Sequence, residues 1–463
     1  MQAAIVAVMA TETTLLILGA SGDLTSRLLL PALGQLLLRE PARRVHLSGA
    51  GMDDWSDAQW HDVVREAFAT TDAQDAFAAV ASTTYTQADI TRPEDLARLV
   101  GASTGRLALY FAVPPSVAAA SCDALKGVAL PDGTVLALEK PFGTDEESAR
   151  ALNRTLTALV PEHRIFRVDH FLGRSTLLNI LGVRFANRVF EPVWSADHVE
   201  SVLVRYDESL GLEGRAGYYD RAGALIDMIQ SHLLQVLAIL AMEPPATLNE
   251  RDLRDAIGAA LRATHIWEDN PVRFSRRARY TAGTVGDRAL PAYVDEAGVD
   301  PARGTETLAE LTFEVRTARW AGVPFTLRSG KALTGRDAEI VITFQPVRHL
   351  PAGFTGETRG SVLRFVLGPD QMSLEIDVNG GDDPFALERA LLEADLGEGA
   401  LKAYGEVLSG ILDGDAVLSV RGDAAEECWR ILHPVLDVWR RGDVPLEEYP
   451  AGSAGPADWP MLP

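Results

Sequence analysis

The sequence predicts an α/β plus α+β protein: an N-terminal doubly wound parallel sheet, then a larger domain with a mostly antiparallel sheet flanked by helices. Three observations carry this. The apolar run Thr14–Leu18 leads straight into the glycine turn GASGD and a helical pattern. Apolar strand-like runs then alternate with helical periodicities to about residue 170, as in a parallel sheet covered on both faces. Between Leu308 and Val378 the pattern changes to short alternating runs separated by turns, which reads as antiparallel sheet.

In the first third, TLLIL followed by GASGDLTSRLLLPAL reads as strand, turn and a helix beginning near Asp23, the opening of a Rossmann-like βαβ unit. Gly19 and Gly22 let the backbone turn tightly and approach a pyrophosphate, whose charge the free N–H groups of the helix start would face. The spacing is GxxG, weaker than the full GxGxxG, and glycine turns between strand and helix are common. The following elements strengthen it. RVHLSGAG from Arg44 is a second strand, and WSDAQWHDVVREAF is an amphipathic helix started by Ser56. LALYFAVPP is counted as the fourth strand, TVLALEKPFG as the fifth and RIFRVDH as the sixth. Ligands of such sheets bind at the carboxyl ends of strands, where Val113, Pro114 and Lys140 fall. At the end of the second strand, Asp53 suits ribose hydroxyls and repels a 2′-phosphate, and no Arg or Lys lies between Arg44 and Arg65. The coenzyme expected is NAD or NADP, with NAD favoured, and no metal.

Charge converges further on. RVDHFLGR, residues 167–174, holds two arginines, an aspartate and a histidine beside apolar residues, the make-up of a pocket for an anionic ligand. Asp169 and His170 are adjacent and point different ways along an extended chain. After the strand VESVLVRYDE comes a helix, from Tyr218 onward, that is apolar on nearly all sides and carries His232. A single histidine on a buried helix is more often a hydrogen-bonded core residue than a base. A carboxylate able to orient it changes that balance. Helical stretches are expected from Ala386 and Ala424, and an extended tail after Tyr449. The domain boundary is expected near residue 170, giving a dinucleotide-binding domain over 1–170 and a substrate and dimerisation domain over 171–463, with the substrate site at the seam.

Bulk numbers bound the partners. The 463 residues exceed one ordinary domain, and 47% are apolar. A net charge of −22 excludes a nucleic-acid binder, which needs a basic face. The two cysteines, Cys122 and Cys428, are expected as free buried thiols of a reducing compartment. The opening MQAAIVAVMA lacks the basic n-region of a secretory signal and is expected to be a short tail, with no membrane span and a cytoplasmic location.

Taken together, GASGDL, YFAVPP, EKPFG, RVDHFLGR, RFANRVFEP, EGRAGYYDRAGALIDMIQSHLLQ, AMEPP, VPFTLRSGKAL and YPAGSAGP, in this order, resemble the glucose-6-phosphate dehydrogenase family almost end to end. The resemblance implies oxidation of glucose 6-phosphate at C1 to 6-phosphogluconolactone, with hydride transfer to NAD(P), at the entry to the pentose phosphate pathway. It implies His232 as the general base and Asp169 as the carboxylate that orients it. Lys140, His170, Phe171, Arg174, Glu208, Asp227, Lys331 and Arg336 fall on positions that contact the sugar phosphate. Gly19, Gly22, Asp23 and Leu24 fall on the dinucleotide turn. A homodimer or homotetramer is implied, its contact made by the large sheet. The chemistry suits the roles: an imidazole, unperturbed near ~6.5, accepts a hydroxyl proton at neutrality, and a carboxylate stabilises the imidazolium formed. The chain departs at Phe171 and Arg174, where the family usually has Tyr and Lys, at about Gly368, where it has a glutamine, and near Met52 and Asp53, where its NADP-specific forms carry arginines. The alternatives are a relative acting on another hexose phosphate, an amino sugar phosphate or an unphosphorylated sugar, and a non-catalytic nucleotide sensor.

Overall fold

The structure, a computed structural model, describes residues 12–335, 337–397, 399–457 and 459. The opening MQAAIVAVMA therefore lies outside the described residues, as does Arg336. The chain forms two compact units. The first holds the chain up to Arg174, with Pro245–Arg254 and Gly399–Glu426. The second holds Ser175–Pro244, Asp255–Glu398 and the chain from Glu427.

The first unit is built on six parallel strands: β1 (Thr13–Leu18), β2 (Val45–Gly51), β3 (Thr84–Gln87), β4 (Arg106–Phe111), β5 (Val135–Glu139) and β6 (Ile165–Val168). Their spatial order is β3-β2-β1-β4-β5-β6. That order reverses between β1 and β4, whose carboxyl ends flank the crevice where such sheets bind ligands. Helices α1 (Leu30–Arg39), α2 (Asp57–Ala69), α3 (Pro93–Gly101), α4 (Pro115–Leu125) and α5 (Glu146–Leu159) connect the strands. Local chemistry sets their starts: Ser56 and Asp145 each close a capping box, with Gln59 and Ser148, and Pro115 stands in the first turn of α4. Apolar side chains of β1, β2 and β4 pack with Leu33, Leu36, Trp60 and Phe68 in one core.

β6 is an edge strand, and the unit's late segment covers it. Arg167 forms an isolated bridge with Val420, and its N–H donates to Ser419 Oγ at 2.9 Å.

The second unit carries α6 (Ser175–Ala186), β7 (Val199–Asp207), α7 (Ala216–Ala224), α8 (Leu234–Ala241), β8 (Thr264–Ile266), β9 (Ser275–Thr281) and the hairpin β10–β11 (Gly283–Val285, Arg288–Leu290). Then come β12 (Leu308–Val315), β13 (Phe325–Gly330), β14 (Ala338–Phe344), β15 (Val362–Leu367), β16 (Asp370–Asn379) and β17 (Leu387–Asp395), with β18 (Leu446–Pro450) near the end. The helix Glu250–Arg262 (α9) and the helix Gly422–Arg441 (α11) contribute residues to both units; α10 (Ala403–Asp413) belongs to the first. The sheet runs β17-β16-β15-β14-β7-β13-β12-β9-β18, with β8 also paired to β12. It is mostly antiparallel, but β7–β13 and β9–β18 are parallel pairs.

One expected element is overturned. LERALLEAD (from Leu387) has strong helix formers, yet it is a strand, paired with β16 along nine consecutive positions. Cross-strand pairing there overrides intrinsic propensity, and helix resumes only at Ala403. The helix expected from Tyr218 is broken at Gly223 (φ +63°) and runs on as a π-helical stretch, Leu225–Leu233, before α8. Among the described residues, Ala216–Ala241 alone has the length and apolarity of a membrane span, and 83% of its most apolar stretch is buried inside the protein. Both cysteines are free and buried.

Candidate active site

In the first unit, β1 ends in a tight turn. Gly19 has φ +89°, and a Cβ there would lie 2.4 Å from the Ala112 carbonyl and 2.5 Å from Val113 Cγ1. Only glycine fits, because β4 passes directly beside the turn. The N–H groups of Gly19 and Ala20 donate to the Ala50 carbonyl at 2.8 and 3.0 Å, and Gly22 N–H donates back to Gly19 O at 3.0 Å. Helix begins at Asp23, exposed, and Leu24 packs against the core below. Ser21 Oγ donates to the Asp53 carboxylate, which ties the glycine turn to the end of β2. Val113 borders the turn and Pro114 caps α4. The turn is packed against Ala112 and Val113 with no room for a side chain at Gly19, and a glycine turn there, at the end of β1, fits the close approach of a dinucleotide's pyrophosphate.

The ends of β5 and β6 carry the second cluster. Asp169 is 1% exposed, and one carboxylate oxygen accepts the Phe171 N–H at 2.9 Å. Burial pushes its pKa up to about 6, against the pull of the His170, Lys140 and Arg174 charges. Phe171 is itself buried, and the Arg174 guanidinium lies over its ring at 4.6 Å. Its ring is thus a platform for Arg174. His170 stacks on Tyr404, with ring centroids 5.4 Å apart and planes 12° from parallel. Tyr404 Oη also donates to Glu139 at 3.4 Å, and Tyr110 Oη donates to the same oxygen at 2.5 Å. Burial raises Glu139 to about 7, with Lys140 next in the chain. Four of the expected residues, Lys140, Asp169, His170 and Arg174, therefore share one electrostatic neighbourhood.

Arg167, the other arginine of RVDHFLGR, does not join them. It is fully buried and gives a two-pronged contact to Glu162, at 2.7 and 3.2 Å, and a hydrogen bond to Asn153 at 3.0 Å. Its guanidinium is used up within the unit's own packing, on Glu162 and Asn153.

The second unit gathers the remaining candidates. Lys331, 4% exposed, pairs with Glu208 at 2.5 Å, and its ammonium stands 5.0 Å from the centre of the Tyr219 ring. Asp227, Glu306 and Glu208 all raise the Tyr219 phenol further, after burial has done most. The YPAGSAGP stretch buttresses SGKAL: Tyr449 Oη donates to the Lys331 carbonyl at 2.6 Å, and Gly452 N–H donates to the Ala332 carbonyl at 2.8 Å. His232 is 1% exposed on the π-helical stretch that also bears Asp227, a distortion common at functional sites. The far end of this helix is pinned by side chains. Arg184 donates to the carbonyls of Ile239 and Met242, and the indoles of Trp194 and Trp320 to those of Leu240 and Ala241. RFANRVFEP and AMEPP thus meet at a helix C-terminus.

The sequence did not single out Tyr110, Tyr219, Glu306 or Tyr404, and it placed Glu139 at a ligand-binding strand end without a role. Tyr404 lies far along the chain from His170 and has no local signature. Glu139 is signalled by a charge ending an otherwise apolar strand.

This is the construction of a nicotinamide-dependent oxidoreductase acting on a CH–OH group: a glycine turn at the switch point of a parallel sheet, with lysine, histidine and carboxylates set at element ends. Residues 16–179 match the family model for the glucose-6-phosphate dehydrogenase NAD binding domain, and residues 181–462 that for its C-terminal domain. The chain belongs to the glucose-6-phosphate dehydrogenase family. It is 35% identical to glucose-6-phosphate 1-dehydrogenase of Mycolicibacterium smegmatis, over 96% of this chain and 94% of that one. It is 36% identical to that of Gluconobacter oxydans, over 95% and 94%. The crystal structure of glucose-6-phosphate 1-dehydrogenase from Mycobacterium avium superposes with a TM-score of 0.84 at 31% identity, covering 98% of this chain and all of that one. A glucose-6-phosphate dehydrogenase in complex with glucose 6-phosphate also gives 0.84, at 28% identity, covering 97% of this chain and 96% of that one.

Proposed function

We propose that the protein oxidises the C1 hydroxyl of glucose 6-phosphate to 6-phosphogluconolactone, with NAD favoured over NADP as hydride acceptor. One observation carries the reading: the family match runs through both units, over residues 16–179 and 181–462. The turn from Gly19 to Leu24, with Val113 and Pro114, holds the dinucleotide, whose nicotinamide accepts the hydride. Asp53, tied to Ser21 and with no Arg or Lys between residues 45 and 64, favours an unphosphorylated ribose.

His232 takes the C1 hydroxyl proton and Asp169 orients its imidazole. Arg174, carried on the Phe171 ring, and His170 hold the phosphate. Lys140, Lys331, Glu208 and Asp227 orient the sugar, and Arg336 adds a cation near it. The large sheet makes a homodimer contact, and the enzyme works in the cytoplasm. A related hexose phosphate is a second reading, supported by Phe171, which offers no hydroxyl to a phosphate.

The test crosses NAD and NADP with glucose 6-phosphate, other hexose phosphates and glucose, following absorbance at 340 nm. We expect glucose 6-phosphate with NAD to give the highest kcat/KM, and His232→Ala to lose ~10²–10⁴-fold while staying folded. Equal rates with and without the 6-phosphate refute the roles of His170 and Arg174.

A further inference from the structure

The break at Gly223 ends α7, and a new helical start follows at Ala224, whose first N–H groups have no partners within the helix. Both are met by one residue of the strand-side loop Thr305–Thr307. Ala224 N–H donates to the Glu306 carbonyl at 3.2 Å, and Leu225 N–H donates to Glu306 Oε1 at 3.0 Å. Thr305 Oγ1 adds a hydrogen bond to the Asp220 carbonyl at 2.6 Å, on the other side of the break.

The carboxylate is packed against the break itself. A Cβ on Gly223 would lie 2.2 Å from Glu306 Oε1 and 2.7 Å from Oε2, and the +63° φ of that glycine disfavours any side chain. Glu306 is 7% exposed, and burial pushes its carboxyl up to about 7, with the Arg277 charge opposing. Burying a carboxylate is costly unless it is used, and here it is spent on a helix start. Two residues beyond Leu225 comes Asp227, and five beyond that His232, on the π-helical stretch whose continuation is pinned at residues 239–242. A helix fixed at both ends cannot rotate, so the direction of every side chain between them is set.

We propose that Glu306 is a positioning residue, whose carboxylate fixes the start, and hence the rotation, of the helix that bears Asp227 and His232. The inference rests on the roles proposed for those two residues. Glu306 also lines a cavity of about 1020 Å³, bounded by Arg277, Arg303, Trp439 and Arg440. Truncation at 306 therefore lets water reach the helix start: the stranded Leu225 N–H is hydrated, the fold survives, and the constraint is gone.

The experiment measures kcat, KM and thermal midpoint for Glu306→Ala, Glu306→Gln and His232→Ala. Displacements near 1 Å cost on the order of 100-fold in rate, so Glu306→Ala should lose ~10- to 100-fold in kcat with the coenzyme KM unchanged. Glu306→Gln keeps the acceptor oxygen and should stay within about threefold of wild type by the same reasoning. A purely structural role would lower the midpoint in both variants without this split. If the Ala variant does not fold, Glu306→Asp, which withdraws the acceptor by one methylene, should show the same kcat loss. Glu306→Ala with wild-type kcat, beside an inactive His232→Ala, overturns this inference alone, as does a Gln variant no better than Ala. An active His232→Ala overturns the underlying assignment and this inference with it.

Discussion

Replacing Gly19 by alanine puts one methyl group where the structure has room for none. Its Cβ would stand 2.4 Å from the Ala112 carbonyl oxygen, 2.5 Å from Val113 Cγ1 and 3.0 Å from the Ala112 carbonyl carbon. Two of these are backbone atoms of the segment leaving β4, which is held by Ala112 N–H donating to the Leu18 carbonyl at 2.8 Å. The left-handed φ of +89° costs an L-residue about 1–2 kcal/mol. Overpacking against a fixed neighbour adds about 1–3 kcal/mol. The sum, about 2–5 kcal/mol, corresponds to a factor of roughly 30 to 5000 in an equilibrium. Because the strain sits in the turn proposed to cradle the pyrophosphate, most of it should appear in coenzyme binding. Initial rates with varied NAD should give a KM raised at least ~30-fold, with the sugar KM within about threefold. Gly101→Ala is the control, because a Cβ at 101 meets nothing within 4 Å. Wild-type coenzyme KM and wild-type stability in Gly19→Ala would refute the reasoning.

Other consequences can be measured with the same protein. Arg174→Ala should lower kcat/KM for hexose 6-phosphates by ~10- to 100-fold, a charged hydrogen bond being worth about 1.5–3 kcal/mol, and leave unphosphorylated sugar unaffected. Glu208→Ala strands Lys331, whose side chain is 5% exposed, and should cost about 2–3 kcal/mol in urea unfolding, below the usual cost for a fully buried pair because Glu208 keeps some contact with water. Adding Lys331→Met should recover part of that loss. Stability should also fall as pH rises from 6 to 8. Glu139 and Glu306 are raised to about 7, and Asp169 and Asp207 to about 6. Each holds its proton in the folded chain to a higher pH than when unfolded, so its stabilising contribution is present at low pH and lost as pH passes the folded value. His265, shifted down, acts in the opposite sense. Thermal midpoints across pH 6–8 check this, and Glu139→Gln should flatten the slope.

Most strands of the parallel sheet, and β7 and β12 to β16 of the other, were legible because apolar runs and alternation are local properties; β8, β9 and β18 were not read. Nor was β3: TYTQ is four residues with one apolar side chain facing inward. LERALLEAD misled because its helix-forming residues say nothing of the partner strand that claims them. Among the candidates, Lys140, Asp169, His170 and Arg174 stand in stretches whose charge the sequence marks, whereas Glu208 and Lys331 were named only through the family resemblance. The motifs could not separate Arg167, buried on Glu162, from Arg174 on the Phe171 ring, because direction depends on packing. Nor could they find Tyr404 behind His170 or Glu306 at the helix start, whose partners lie far along the chain.

The central claim is that a hydride leaves C1 of a hexose phosphate for the coenzyme. Glucose 6-phosphate deuterated at C1, incubated with the protein and NAD, tests it directly by NMR of the recovered coenzyme. One deuterium per reduced coenzyme is expected at the nicotinamide ring, with an unlabelled lactone or its acid. Deuterium retained in the sugar while coenzyme is reduced, or no reduction with either coenzyme, would contradict it.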